Sequence, residues 1–162
     1  MEAIRKPGVL ATPALRGVVV AHVYDLVALV LGAERDARQI AEQRGLRAAR
    51  RMAVLHAVES RSGDPALRAA TVAAELGVTP RYVHLLLEET GRSFTHHVLD
   101  KRLEKVLAML RDPRWQNRRI TDMALEAGFT DLSYFGRAFR RRYGATPSDV
   151  RETARRDFGG NR

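Results

Sequence analysis

The chain has 162 residues, 45% hydrophobic and 29% charged, the balance expected of one globular domain plus an additional element. It has no cysteine, which excludes disulfides and cysteine-ligated metal sites. The formal net charge of +9, with a pI near 10.9, points to an anionic partner, nucleic acid first and an acidic membrane surface second.

Period-two alternation is absent, so the expected fold class is all-α. The first helix is predicted over about Ala14 to Leu31. Its apolar run, Val18 to Ala33, is too short for a membrane span and is interrupted by His22 and Asp25, so it reads as a cytoplasmic helix. A membrane-surface helix needs a basic polar face, and only Arg16 is available for one. Leu15, Val19, His22, Leu26 and Leu29 follow 4-3-4-3 spacing. That seam fits dimerisation with a second helix, and it equally fits burial against a neighbouring domain. Residues 32–45 are polar and are expected to form a short helix or linker.

Further along, helices are predicted over Leu46 to about Arg61, Ala69 to Leu76, Pro80 to Thr90, Phe94 to about Arg111, Ile120 to Ala127 and Asp131 to Tyr143. A last helix begins at Pro147. Ser93 and Thr146 are the expected caps of two of them, and Pro147 suits a first helical position. Positive charge concentrates toward the end: residues 111–162 hold twelve basic and seven acidic side chains, more than half of the net charge.

One pattern occurs twice, at 69–90 and 120–143: a short Ala-rich helix, a turn containing glycine, then a second helix. Two crossed helices need a small residue at the crossing, a residue tolerant of positive φ in the turn, and a cap. Ala73, Gly77 and Thr79 supply these in the first copy, and Ala124, Gly128 and Thr130 in the second. The predicted architecture is therefore two helix–turn–helix units joined by a long connecting helix and preceded by a helical extension.

On a 3.6-residue wheel, Leu132, Phe135 and Phe139 share one face of the helix 131–143, with Ala138 beside them. Ser133, Arg137, Arg140 and Arg141 occupy the opposite face. Rings on one side anchor the helix, and guanidinium groups on the other suit guanine edges and phosphates. A solvated charged face normally mixes signs, and this one has no acid beyond Asp131 at its start. In the first copy Val83, Leu86, Leu87 and Thr90 form the predicted buried face. Arg81, His84, Leu85 and Glu88 point outward. Leu85 suits a thymine methyl or plain packing.

The run from Ile120 to Arg151, "ITDMALEAGFTDLSYFGRAFRRRYGATPSDVR", resembles the C-terminal signature of the AraC/XylS family of bacterial transcription regulators. Upstream, "AAELGVTPRYVHLLLEETGRSFTHHVLDKRLEKVLAML" resembles the family's first helix–turn–helix and connecting helix. The resemblance covers roughly Arg51 to Arg156. It implies two units entering successive major-groove segments of double-stranded DNA, which recur about every 34 Å. Carried over by position, it implies base reading by Arg81, His84, Leu132, Ser133 and Arg137; Leu85 is added as a base-reading candidate on its fit to a thymine methyl. Thr79, Thr130, Arg140 and Arg141 are the expected phosphate contacts. Ala73, Gly77, Ala124, Gly128 and Pro147 are expected to shape the turns. Leu85 and Leu87 stand where the family commonly has arginine and phenylalanine, and Val150 where it usually has an aromatic.

The expected domains are a helical linker or dimerisation segment at 1–48, a DNA-binding domain at 49–157 and a disordered tail at 158–162. The family's β-rich effector domain has no counterpart, so the chain reads as the C-terminal part of a longer regulator. A cytoplasmic activator is expected, with RNA polymerase and a second copy as further partners. The rival reading is a helical protein-interaction module that does not read sequence. His22, His56, His84, His96 and His97 include no pair at the i, i+4 spacing of a helical zinc site. No nucleophile motif, phosphate loop or carboxylate pair suggests an enzyme, and no cofactor is implied.

Overall fold

The computed structural model describes the backbone of residues 13–159 and the side chains of residues 20 and 22–157. Among the described residues the chain forms α-helices and one 3-10 turn, with no strand. The helices are α1 (Pro13–Arg61), α2 (Ala69–Glu75), α3 (Pro80–Glu88), α4 (Phe94–Arg111), α5 (Ile120–Glu126), α6 (Leu132–Tyr143) and α7 (Pro147–Gly159). The 3-10 turn, Pro113–Trp115, falls within the loop expected after α4. The chain divides into two units, Met1–Leu46 and Arg47–Arg162.

The break expected over residues 32–45 does not occur, because α1 runs through it without interruption. Two interior glycines, Gly32 and Gly45, each weaken a helix by about 1 kcal/mol relative to alanine. The residues between them offset this. Ala, Arg, Gln and Glu are good helix formers, and Glu34–Arg38 and Arg38–Glu42 are opposite charges at i, i+4. Glycine punctuation suggests a boundary, and local propensity outweighs it here.

In the first unit the expected dimerisation seam lies on α1. Leu15 and Val19 have side chains outside the described ones. His22, Leu26 and Leu29 are solvent-exposed, Leu29 at 72%. Val20, Val23, Tyr24, Val27, Val30 and Leu31 are exposed as well, so apolar side chains face solvent around much of the helix.

The second unit holds two apolar cores. Val54 and Val58 of α1 pack with Leu67, Val72, Ala73, Val83, Leu86, Leu87, Phe94 and Val98. The other core gathers Leu103, Val106, Met109, Leu110, Met123, Ala124, Ala127, Phe129, Phe135, Ala138 and Phe139. Helix α4 belongs to both: its first two turns enter one core and its last turns the other. At 18 residues it is about 27 Å long by the helical rise. One rigid rod therefore carries both helix–turn–helix units. Ser93 caps it, accepting from the His96 backbone N–H at 3.3 Å.

Two polar brackets fix α4, Arg102 to the segment after α1 and Lys105 to the end of α5. Arg102 Nε donates to the Ser62 carbonyl at 2.8 Å, and another guanidinium nitrogen donates to the Asp64 carbonyl at 2.9 Å. Lys105 Nζ donates to the Glu126 carbonyl at 2.8 Å, which satisfies the end of α5. Within the second unit, the last turns of α1 are tied to the first helix–turn–helix by ion pairs of Arg51 with Glu89 and Arg61 with Glu75. Helix α7 opens with a reciprocal cap. The Thr146 N–H donates to the Asp149 carboxylate at 2.9 Å, and the Asp149 N–H donates to the Thr146 hydroxyl at 3.2 Å. Hydrogen bonding to the carboxylate from the Thr146 side chain first, and from its backbone N–H second, holds the Asp149 carboxyl below its ordinary pKa. Pro147 is buried behind the cap. The helix extends to Gly159, so residues 158 and 159 are helical rather than part of the expected tail. Residues 160–162 lie outside the described residues.

Candidate nucleic-acid interface

Each helix–turn–helix is built as its sequence requires. Ala73 and Ala124 are buried at the helix crossings, and Gly77 and Gly128 occupy the turns at φ +62° and +93°. Thr79 caps α3, accepting from the Tyr82 N–H at 3.2 Å. The second copy departs from expectation here. Its cap is Asp131, whose carboxylate accepts from the Tyr134 N–H at 2.8 Å, and not Thr130. Asp131 directly precedes the first helical residue, and a carboxylate at that position also meets the positive end of the helix dipole. Thr130 is exposed and lines a cleft with Arg68, Phe94, Arg102 and Tyr134.

Helix α6 is sharply two-sided. Phe135, Ala138 and Phe139 are buried, and a row of rings runs along that side. Phe129 meets Phe135 at 5.0 Å between centroids, Phe135 meets Phe139 at 5.7 Å, and Phe139 meets Tyr143 at 4.8 Å. Leu132 does not join them as the wheel suggested. It is 39% exposed, because it is the first residue of the helix and Phe129 from the turn takes the place against Phe135. Ser133, Arg137, Arg140 and Arg141 are all exposed on the other side.

Helix α3 repeats this plan with less charge. Val83, Leu86 and Leu87 are buried and Thr90 is half-buried, while Arg81, His84, Leu85 and Glu88 are exposed. Leu85 is therefore a surface residue rather than a packing one.

The arginines fall into two groups. Many are engaged with carboxylates: Arg47 and Arg51 with Glu89, Arg61 with Asp64 and Glu75, Arg92 with Asp100, Arg114 with Asp112, and Arg156 with Glu152. Arg142, at the end of α6, lies 3.8 Å from Asp100 and stacks on Tyr143 at 5.6 Å. Among the described residues, Arg81, Arg137, Arg140 and Arg141 have no carboxylate within ion-pair distance. Arg137 lies three and four residues from Arg140 and Arg141, a like-charge spacing that weakens a helix by about 0.2–0.5 kcal/mol per pair. The dipole of α6 offsets this for Arg140 and Arg141 in its last turn. It does not do so for Arg137 in mid-helix. An exposed mid-helix arginine without a partner, beside two more of its own charge, is arranged for an anion that the chain itself does not supply.

Two residues that position this face were not singled out in the sequence. Burial in the chain interior lowers the pKa of the Arg102 guanidinium from its ordinary value, yet arginine starts so high that the group stays charged. Lys105 makes the parallel bracket. Both sit on the connecting helix, where a charged residue reads as solvated surface until the facing carbonyls are placed.

A family model described as a helix-turn-helix domain matches residues 72–153. The transcriptional activator RhrA of Rhizobium meliloti (strain 1021) is 31% identical over 138 residues, 85% of this chain and 42% of that protein. The XylDLEGF operon transcriptional activator of Pseudomonas putida is 35% identical over 79 residues, 48% of this chain and 25% of that protein. The chain thus spans less than half the length of these relatives. Among solved structures, the C-terminal domain of AraT, a response regulator from Geobacillus stearothermophilus, superposes with a TM-score of 0.57 at 26% identity. That match covers 64% of this chain and 84% of the other.

Proposed function

The chain belongs to the AraC/XylS family of transcription regulators, and from that premise we propose that it binds double-stranded DNA in a sequence-specific way through both helix–turn–helix units. The observation that carries this reading is the carboxylate-free outer face of α6, centred on Arg137 and backed by the buried Phe135 and Phe139. In this reading Leu132, Ser133 and Arg137 of α6 contact base edges in one major-groove segment. Arg81, His84 and Leu85 of α3 do so in the next. Thr79, Thr130, Arg140 and Arg141 contact phosphates, which fix register without selecting sequence. The relatives described above are named activators, so activation is the expected sign of regulation.

Arg137→Ala is the direct test. On a duplex selected from a random pool by the wild-type chain, the substitution should cost about 1–3 kcal/mol and relax preference at the contacted base pair. Affinity for random DNA should change far less. Equal losses on selected and random duplexes, measured by fluorescence anisotropy, overturn base reading by Arg137. A wild-type chain that selects no sequence favours the interaction-module reading instead.

The exposed apolar side chains of α1 support a second role, pairing of two copies through His22, Leu26 and Leu29, with Leu15 and Val19 continuing the seam by sequence. Leu26→Asp should move sedimentation velocity toward monomer. A wild-type chain already monomeric at the same concentration contradicts the pairing. RNA polymerase is a further proposed partner, and a transcription reporter carrying the selected duplex tests activation.

A further inference from the structure

A second group of arginines without carboxylate partners lies away from both α3 and α6. The segment after the 3-10 turn and the facing side of α7 form a groove lined by Gln116, Arg118, Arg119, Thr121, Arg151 and Arg155. None of its four guanidinium groups has a carboxylate within ion-pair distance among the described residues. The arginines just outside it are neutralised, Arg114 by Asp112 at 2.6 Å and Arg156 by Glu152 at 3.6 Å.

Three of the four groups are held in place rather than left to drift. Arg151 donates to the Arg118 carbonyl at 3.1 Å. Arg155 donates to the Gln116 side-chain oxygen at 3.0 Å and to the Gln116 carbonyl at 2.5 Å. Arg118 stacks on Trp115 at 5.5 Å, and Trp115 in turn packs on the core of the second helix–turn–helix. Guanidinium groups already anchored to backbone lose less freedom when an anion arrives.

The groove's place follows from α5. The C-terminal end of α5 leads to Gly128, whose Cα lies against the Ser62 and Gly63 carbonyls. The cleft next to that turn is shared with Pro65, Leu67 and Arg68, which lead into α2 of the first helix–turn–helix. Arg119 precedes the other end of α5, about 10 Å further along by the rise of seven residues. The groove thus lies at the end of α5 opposite the turn that meets the chain leading into the first helix–turn–helix.

We propose that this groove grips the sugar-phosphate backbone of the same duplex just outside the segment read by α6, so that the footprint extends past the second unit on one side. The inference rests on the DNA-binding reading above. A backbone partner is favoured over an acidic protein because the one large apolar side chain in the lining, Ile120, is half-buried and already packed on the core of the second helix–turn–helix. Protein interfaces take most of their affinity from such desolvated anchors, whereas phosphate binding needs only placed cations.

The test uses the full chain, a double variant Arg119→Gln/Arg151→Gln and a loop-only variant Arg118→Gln/Arg119→Gln, each checked for an unchanged helical spectrum. Binding is measured across salt concentrations on the selected duplex carrying about one helical turn of extra DNA at both ends, and on duplexes trimmed at either end. On the long duplex, each variant should bind more weakly and lower the slope of log affinity against log salt by about 0.9 per arginine. Trimming one particular end should bring the wild type down to the variants, and trimming the other should leave the difference intact. A difference that survives both trimmings overturns the flank contact, since the arginines would then act within the core site. No difference on any duplex overturns it as well, and points to an acidic protein as the occupant. A wild-type chain that binds no selected duplex removes the DNA reading itself, and this inference with it.

Discussion

Gly128→Ala is expected to destabilise the chain by about 2–5 kcal/mol, the sum of a left-handed alanine and an overpacked contact. Gly128 sits at φ +93°, and a Cβ placed on it lies 2.7 Å from the Ser62 carbonyl oxygen and 2.8 Å from that of Gly63. The Ser62 oxygen is not free to retreat, because Arg102 Nε, itself 3.0 Å from the same Cβ, holds it at 2.8 Å. Gly77, at the matching turn of the first helix–turn–helix, has φ +62° and open space around its Cβ position. Gly77→Ala should therefore cost only the conformational penalty of about 1–2 kcal/mol. Urea unfolding of the two variants side by side is the measurement. Equal costs would mean that the carbonyl contact does not matter. Against a total stability on the order of 5–15 kcal/mol, the Gly128 variant should also lose DNA affinity, since the turn it strains leads directly into α6.

Phe139→Ala is expected to cost about 3–5 kcal/mol, the range for truncating a large buried aromatic. The ring is 0% exposed and stands between Phe135 and Tyr143 in the row that fastens α6 to its core. Its loss leaves a cavity bounded by Phe135 and the apolar residues of α4 and α5 that the rest of the row cannot fill without shifting α6. The near-ultraviolet aromatic signal should weaken and DNA binding should fall with it. Arg137→Ala, on the opposite face, should leave the unfolding midpoint within about 0.5 kcal/mol of wild type while binding falls. The pair separates what holds the helix from what the helix presents. A Phe139 variant that loses less than about 1 kcal/mol would show that the ring row is not what anchors it.

Most of the architecture was readable before any coordinates. The double helix–turn–helix, the two-sided α6, the Thr79, Ser93 and Thr146 caps and the positive-φ glycines all depend on residues close in sequence. The differences share a cause. Gly32 and Gly45 suggest a boundary only while the helix formers between them are left out, and α1 runs on. Thr130 matches the cap Thr79 by position in the repeat, but Asp131 stands nearer the helix start and caps it. Leu132 shares the ring face by wheel angle, whereas its place at the first turn exposes it.

By itself the sequence determined the helical class, the two repeated units and the polarity of the face that carries Arg137, because helical period and capping are local properties written within a few residues. Tertiary structure alone decided which charges are spent inside the chain and which are left for a partner. Arg102 and Lys105 are committed to carbonyls 40 and 21 positions away, and the groove arginines come together from segments more than 30 residues apart. The physical reason is that an ion pair or a bracket depends on distance in space, which a chain of charges does not state until it has folded.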